Sequence, residues 1–299
     1  MNERTRKIAV IIGVTSLIAG AATIIAQRYA GAERAKRENP FIYRNDDSPA
    51  VNPALLGYAE MESISLQSSS LKAIAVDSQD RLYVVSDSKL LTYGLNFQPL
   101  ASFDIQPNCG ALTVATDGII YTGCADRIFV YDPAGRLLSE WTSLGAEAVI
   151  TSLAVNAERL YIADYGNRAV WIFSRDGALI KKLIGRPGEA DSYRFIVPSP
   201  YFDVAIDARG LWVVNPGKQE VALFTLAGDW ISSWGQHAVN NALDGFCGCC
   251  NPTHLAILPD GGLVTSEKGI ARVKVSDLTG RVLSVVASAN SFEDRKSVV

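Results

Sequence analysis

The sequence predicts an all-β chain of four-stranded antiparallel sheets set radially as the blades of a β-propeller, and three observations carry that expectation. From Leu71 onward one pattern of apolar strand, polar turn, second strand and Gly turn recurs five times. Each copy has room for four short strands bounded by DG, AG, TG or NP-type turns. A unit of that kind does not bury both faces alone, and radial packing covers them while leaving only short edges.

The copies begin at Ile74 (IAVDSQDRLYVVSDSKLLTYGLNFQPLASF), Leu112 (LTVATDGIIYTGCADRIFVYDPAGRLLSEW), Leu153 (LAVNAERLYIADYGNRAVWIFSRDGALIKKLIG), Asp203 (DVAIDARGLWVVNPGKQEVALFTLAGDWISSWG) and Leu255 (LAILPDGGLVTSEKGIARVKVSDLTGRVLSVVA). Their starts lie 38 to 52 residues apart. The composition agrees with a packed domain: of 299 residues 48% are hydrophobic and 20% charged, which excludes wholesale disorder, collagen and coiled coil. A net charge of −3 with no basic excess argues against nucleic acid as a partner.

Ahead of the repeats, Ile8–Ala26 is a run of 19 uncharged residues preceded by Arg4, Arg6 and Lys7. As a helix it is about 28 Å long, close to the hydrocarbon thickness of a bilayer. This predicts an N-terminal transmembrane helix acting as an uncleaved signal-anchor, with Ala30-Gly31-Ala32 as the alternative cleavage site. Arg28, Arg34, Lys36 and Arg37 follow it, so the Lys/Arg count does not choose a side. The order of short basic tip, single span and long domain favours export, to a bacterial periplasm or cell surface where thiols oxidise. The expected partition is a signal-anchor at 1–27, a tether at 28–57 and the propeller at 58–299.

Antiparallel order within a blade, strands a to d, places the b–c turns and the d–a connections on one face. All five cysteines fall on that face. A turn centred on Thr116–Asp117 sets Cys109 opposite Cys124, a pair expected either to form a disulfide or to be small buried residues. Cys247, Cys249, Cys250 and His254 lie in the long connection from blade four to blade five. Three thiolates and an imidazole are a candidate tetrahedral set for a soft or borderline metal such as copper, zinc or an iron–sulfur centre. A disulfide that pins the connection, redox-active thiols and unbonded loop cysteines are the alternatives. With two His in the chain, a three-His metal site is excluded.

The last residue of strand b in each blade forms a second candidate set on this face: Ser86, Cys124, Asp164, Asn215 and Glu267. Beside it, Pro198, Pro200, Tyr201 and Phe202 are expected to form an aromatic wall, with Tyr201 as a rim candidate. Arg272 and Lys274 are expected on a solvated strand face.

The segment LYIADYGNRAVWIFSRDGALIKKLIG (160–185) resembles an NHL repeat, and the resemblance extends over residues 71–288. VPSPYFD (197–203), FCGCCNPTH (246–254) and TSEKGIARVKV (265–275) are similar to segments of bacterial NHL-repeat proteins of unassigned function. The resemblance implies that the Asp or Asn ending strand b holds the b–c turn through nearby backbone N–H groups. It also implies six blades, whereas five complete copies are present. Glu60–Leu66 (EMESISL) is therefore expected as one strand of an incomplete closing blade, with a five-bladed ring as the alternative.

No GxSxG, P-loop, HExxH or CxxCH motif occurs in the chain. The expected function is a membrane-tethered extracytoplasmic propeller that binds a protein or assembles a complex, rather than an enzyme. A redox or metal-binding accessory role using the Cys247/Cys249/Cys250/His254 cluster is the first alternative. The second is a metal-dependent lyase with Glu267 as base, although NHL-type lyases rely on several His.

Overall fold

The computed structural model describes residues 51–64, 66, 70–188, 193–238, 242–248, 250–288 and 291. All belong to the unit formed by residues 45–299. The apolar run Ile8–Ala26, the tether up to residue 50 and Cys249 lie outside the described residues. Among the described residues no helix is long and apolar enough to cross a membrane.

Five four-stranded sheets follow one another, each ordered as in the chain. Blade one comprises β1 (Leu71–Val76), β2 (Leu82–Ser86), β3 (Lys89–Tyr93) and β4 (Pro99–Asp104). Blade two comprises β5 (Cys109–Val114), β6 (Ile120–Cys124), β7 (Arg127–Tyr131) and β8 (Leu137–Glu140). Blade three is β9 (Ile150–Val155), β10 (Arg159–Asp164), β11 (Ala169–Ser174) and β12 (Leu179–Leu183). Blade four is β13 (Val204–Asp207), β14 (Gly210–Asn215), β15 (Glu220–Phe224) and β16 (Trp230–Trp234). Blade five is β17 (His254–Ile257), β18 (Leu263–Glu267), β19 (Arg272–Ser276) and β20 (Val282–Ala287).

The second strand of each blade is covered on both faces, which is why stretches such as Leu160–Ala163 and Leu211–Val214 are continuously apolar. The fourth strands lie at the circumference; Leu137–Glu140, for example, is exposed along its whole length. Apolar side chains fill the space between successive blades. Val85, Leu90, Leu112 and Phe129 join blades one and two; Tyr121, Trp141, Ile150 and Ile162 join two and three. Tyr161, Phe195, Phe202 and Phe224 join three and four, while Trp212, Val221, Phe246 and Leu263 join four and five. Among the described residues no such cluster joins blade five to blade one. On β1, Leu71, Ile74 and Val76 are 49%, 63% and 60% exposed.

The expectation of six-bladed geometry is thus corrected to five blades. The described residues of Glu60–Leu66 form no strand, because no neighbouring backbone pairs with them. The outer edge of blade five is met instead by the segment before them: a short 3-10 turn at Pro53–Leu55 leads to Leu56, which bridges Val285 in parallel.

One turn design recurs at three hairpins. Asp77, Asp132 and Asp277 each accept backbone N–H groups two and four residues on through Oδ1, and Oδ2 takes the Nε of Arg81, Arg136 or Arg281. The residue before each Arg is Asp80, Gly135 or Gly280, at φ of 56°, 81° and 87°. This is an Asx turn closed by an ion pair. The Thr279 hydroxyl first, then the Thr279 and Arg281 N–H groups, hold the Asp277 carboxyl down to about 2.

A carboxyl depressed in the folded state supports the fold above its unfolded value and loses that support as pH falls through the folded one. The denaturant midpoint should therefore fall between about pH 4 and about pH 2. Asp277→Asn should show a smaller fall over that interval; an equal fall would remove this turn from the account.

Candidate functional site

The side chain that ends strand b ties down the chain segment that enters the same blade, in all five blades. Ser86 Oγ donates to Ser70 O at 3.2 Å. Cys124 is bonded to Cys109 in a disulfide, with Cα atoms 3.8 Å apart. Asp164 Oδ1 accepts the N–H of Val149 at 3.0 Å, Asn215 Oδ1 that of Ile196 at 2.8 Å, and Glu267 Oε2 that of Cys247 at 2.9 Å. All five residues are buried. A connection that leaves strand d has no ladder partner for its N–H groups, and a buried one left unmade costs about 1–3 kcal/mol. Asp164 also holds its own b–c turn, accepting from Asn167 N, Asn167 Nδ2 and Trp171 Nε1.

The Cys109–Cys124 register has a particular origin. Leu112 faces Thr122 and Val114 faces Ile120, a register one step from that of a turn centred on Thr116–Asp117. The turn is there, with Gly118 N donating to Ala115 O, but Ala115 N pairs with Ile119 O and so moves the ladder by one residue, and a bulge between Cys109 and Ala111 moves it back and brings the two cysteines opposite each other.

Around the cysteine-bearing connection the structure corrects the expected solvated face. Glu267, Arg272 and Lys274 are 0%, 4% and 2% exposed. Register pairs Glu267 with Arg272 and Thr265 with Lys274, on the face turned toward residues 242–248. Arg272 Nε lies 2.6 Å from Glu267 Oε1, and its Nη2 donates to Ala242 O and Gly245 O at 3.0 and 3.1 Å. Lys274 Nζ donates to Leu243 O at 2.9 Å and Gly245 O at 2.6 Å, and lies 4.4 Å from the Phe246 ring centroid. Phe246 stacks on Trp234, and Gln219 binds Gly248 O. These cations are buried because the long connection presents carbonyl groups that no strand serves.

Cys247 is buried and carries a free thiol 3.4 Å from Arg272 Nη2. Burial pushes that thiol above its ordinary pKa, against the pull of Arg272. His254 points elsewhere: its Nδ1 is 3.5 Å from Asp203 Oδ2 and its ring stands edge-on to Tyr201 at 6.0 Å. Burial works against the imidazolium, but the hydrogen bond and charge of Asp203 outweigh it, so the pKa is raised. Among the described residues no three His, Cys, Asp or Glu side chains converge on a metal position. The metal set is not assembled from Cys247, Cys250 and His254, and Cys249 lies outside the described residues.

The expected aromatic wall is divided. Phe202 is buried against Phe195 in the core, and Tyr201 remains at the surface with Lys268 Nζ 4.2 Å from its ring centroid. Lys268 also donates to Ser199 Oγ at 3.0 Å, and its backbone is held on both sides by Asn251. Lys268, Asn251 and Asp203 escaped sequence reasoning; the one available signal was the repeat itself, which puts Lys268 directly after a strand-b terminus.

Replacing Cys109 and Cys124 by Ala opens a loop of sequence separation 15. By the loop-entropy relation this lowers unfolding free energy by about 3 kcal/mol, read from denaturant melts. Glu267→Gln leaves two buried cations short of their counter-charge and should cost about 3–5 kcal/mol. A loss under about 1 kcal/mol would mean that Arg272 and Lys274 are solvated after all.

No protein-family model matches the chain, and no curated protein matches it. Solved structures do, at the level of fold. A streptogramin B lyase is 14% identical with a TM-score of 0.53, over 73% of this chain and 69% of that one. Virginiamycin B lyase from Staphylococcus aureus is 14% identical at a TM-score of 0.51, over 72% and 69%. A protein of unknown function from Bacteroides caccae is 14% identical at 0.53, over 75% and 83%. At these identities what is shared is the β-propeller architecture.

Proposed function

We propose that the chain is an NHL-type, protein-binding propeller held outside the cytoplasm by its N-terminal segment, and that the partner docks on the open flank of blade one. The observation that carries this is the exposure of Ile74 and Val76 on β1, since Leu112, Leu153 and Leu255, at the repeat position of Ile74 in blades two, three and five, are buried. An apolar sheet face of this kind is what a protein partner covers. The segment Glu60–Leu66, whose described residues form no strand, precedes β1 in the chain. The NHL assignment is supported by the Asp164–Asn167 turn, and the tether by the Ile8–Ala26 run. The redox and metal alternatives draw no support from Cys247, whose buried thiol is disfavoured as a thiolate.

A photo-crosslinking residue placed at Ile74 in the source cells should give a discrete protein adduct. The same residue at Ile231, an exposed apolar position on β16, should not. Val76→Asp should abolish the adduct at position 74. Absence of any adduct there, or identical adducts at both positions, would overturn the proposal.

A further inference from the structure

Each blade joins its third and fourth strands by the same c–d turn, in which the first residue's N–H donates to the fifth residue's carbonyl and the fourth residue's N–H to the first one's. In blades two to five the fourth residue is a glycine at positive φ: Gly135, Gly177, Gly228 and Gly280. Each of these glycines covers a side chain of the blade before it, and an added Cβ would press on Phe103, Trp141, Leu183 or Trp234 in turn. In blade one the same position is Phe97, at φ of 53°. A bulky residue held there is strained, and strain of that kind is kept where a side chain has work to do.

The blade-one turn also differs in charge. Ionised residues stand in the other four, Asp132 with Arg136, Arg175 with Asp176, Asp229, and Asp277 with Arg281, whereas Gly94-Leu95-Asn96-Phe97-Gln98 has none. Its closure is neutral: Gln98 Oε1 accepts the N–H of Asn96 at 3.1 Å, where Asp132 and Asp277 use carboxylate–guanidinium pairs. Leu95 is 68% exposed, Phe97 37% and Leu100, just beyond on β4, 52%. The chain enters the propeller from the side on which this tip stands. β20 runs from its c–d turn toward the opposite face, and Leu56 bridges Val285 in parallel, so the residues before Leu56 lie toward the c–d turns.

We infer that this hairpin tip, with Leu95 and Phe97 at its apex, dips into the bilayer in which the Ile8–Ala26 run is anchored, granted the tether proposed above. The two side chains and Leu100 bring apolar surface to the boundary between headgroups and acyl chains. A turn closed by amides has no ion pair to desolvate on entering it. Zwitterionic lipid suits the tip, which holds no Lys or Arg for an anionic headgroup. Placed in this way, the propeller turns its c–d side to the membrane and its cysteine-bearing face away from it.

The test uses the full-length protein reconstituted in phosphatidylcholine vesicles, with the fluorescent residue dansylalanine placed at Leu95 or, as a control, at Ser88 in the exposed b–c turn on the opposite face. Exchanging the lipid for its brominated form should quench the fluorophore at 95 and leave that at 88 unchanged. Phe97→Gly should reduce the quenching at 95 without lowering the melting temperature, since glycine suits a φ of 53°. Equal quenching at the two positions, none at 95, or a lower melting temperature for Phe97→Gly would overturn the inference. Vesicle flotation separates its failure from that of the tether: protein that floats without quenching at 95 overturns the inference alone, and protein that does not float overturns both. A photo-crosslinking residue at Leu95 that captures, in the source cells, the same protein as one at Ile74 would overturn it in favour of the partner on the blade-one flank.

Discussion

Every blade depends on one contact: the buried side chain at the end of strand b that secures the segment leading into strand a. A radial stack of sheets is held together between blades by apolar surface, which is non-directional. It does not by itself decide where each connection re-enters the ring. The directional bonds of Ser86, Asp164, Asn215 and Glu267, and the covalent bond of Cys124, supply that decision. The chemistry varies from hydroxyl to disulfide, carboxylate and amide while the position stays the same.

The most elaborate of these contacts is in blade five, where a long connection runs from Trp234 to His254. There the Glu267 carboxylate is joined by Arg272 and Lys274, and together they serve the carbonyls of Ala242, Leu243 and Gly245. A buried ion cluster of this sort is weak evidence of net stability but strongly resists the loss of any one member. It holds Phe246 against Trp234, and Asn251, linked to both Cys247 O and Lys268, carries the order outward to the surface where Lys268 meets Tyr201. Scaffold and surface are thus parts of one network.

Much of this was legible in the sequence. Repeat spacing located the blades, and alternation placed Ser86, Cys124, Asp164, Asn215 and Glu267 at equivalent strand ends. The number of blades was not, since Glu60–Leu66 has strand-like composition but its described residues join no strand, and pairing is a property of neighbours rather than of composition. The burial of Arg272 and Lys274 was hidden for a related reason: their partners are backbone carbonyls of a non-periodic connection 27 to 31 residues away. The opposition of Cys109 and Cys124 was legible from their spacing, and only the bulge that completes it was not.

The central claim concerns three amides that lie outside any strand, those of Val149, Ile196 and Cys247. Residue-resolved hydrogen exchange on the folded protein addresses them directly. If the strand-b termini fix the entering connections, these amides exchange as slowly as those of the adjoining strands. Exchange at the rate of an open loop would mean that the contacts do not persist, and that apolar packing alone positions the blades.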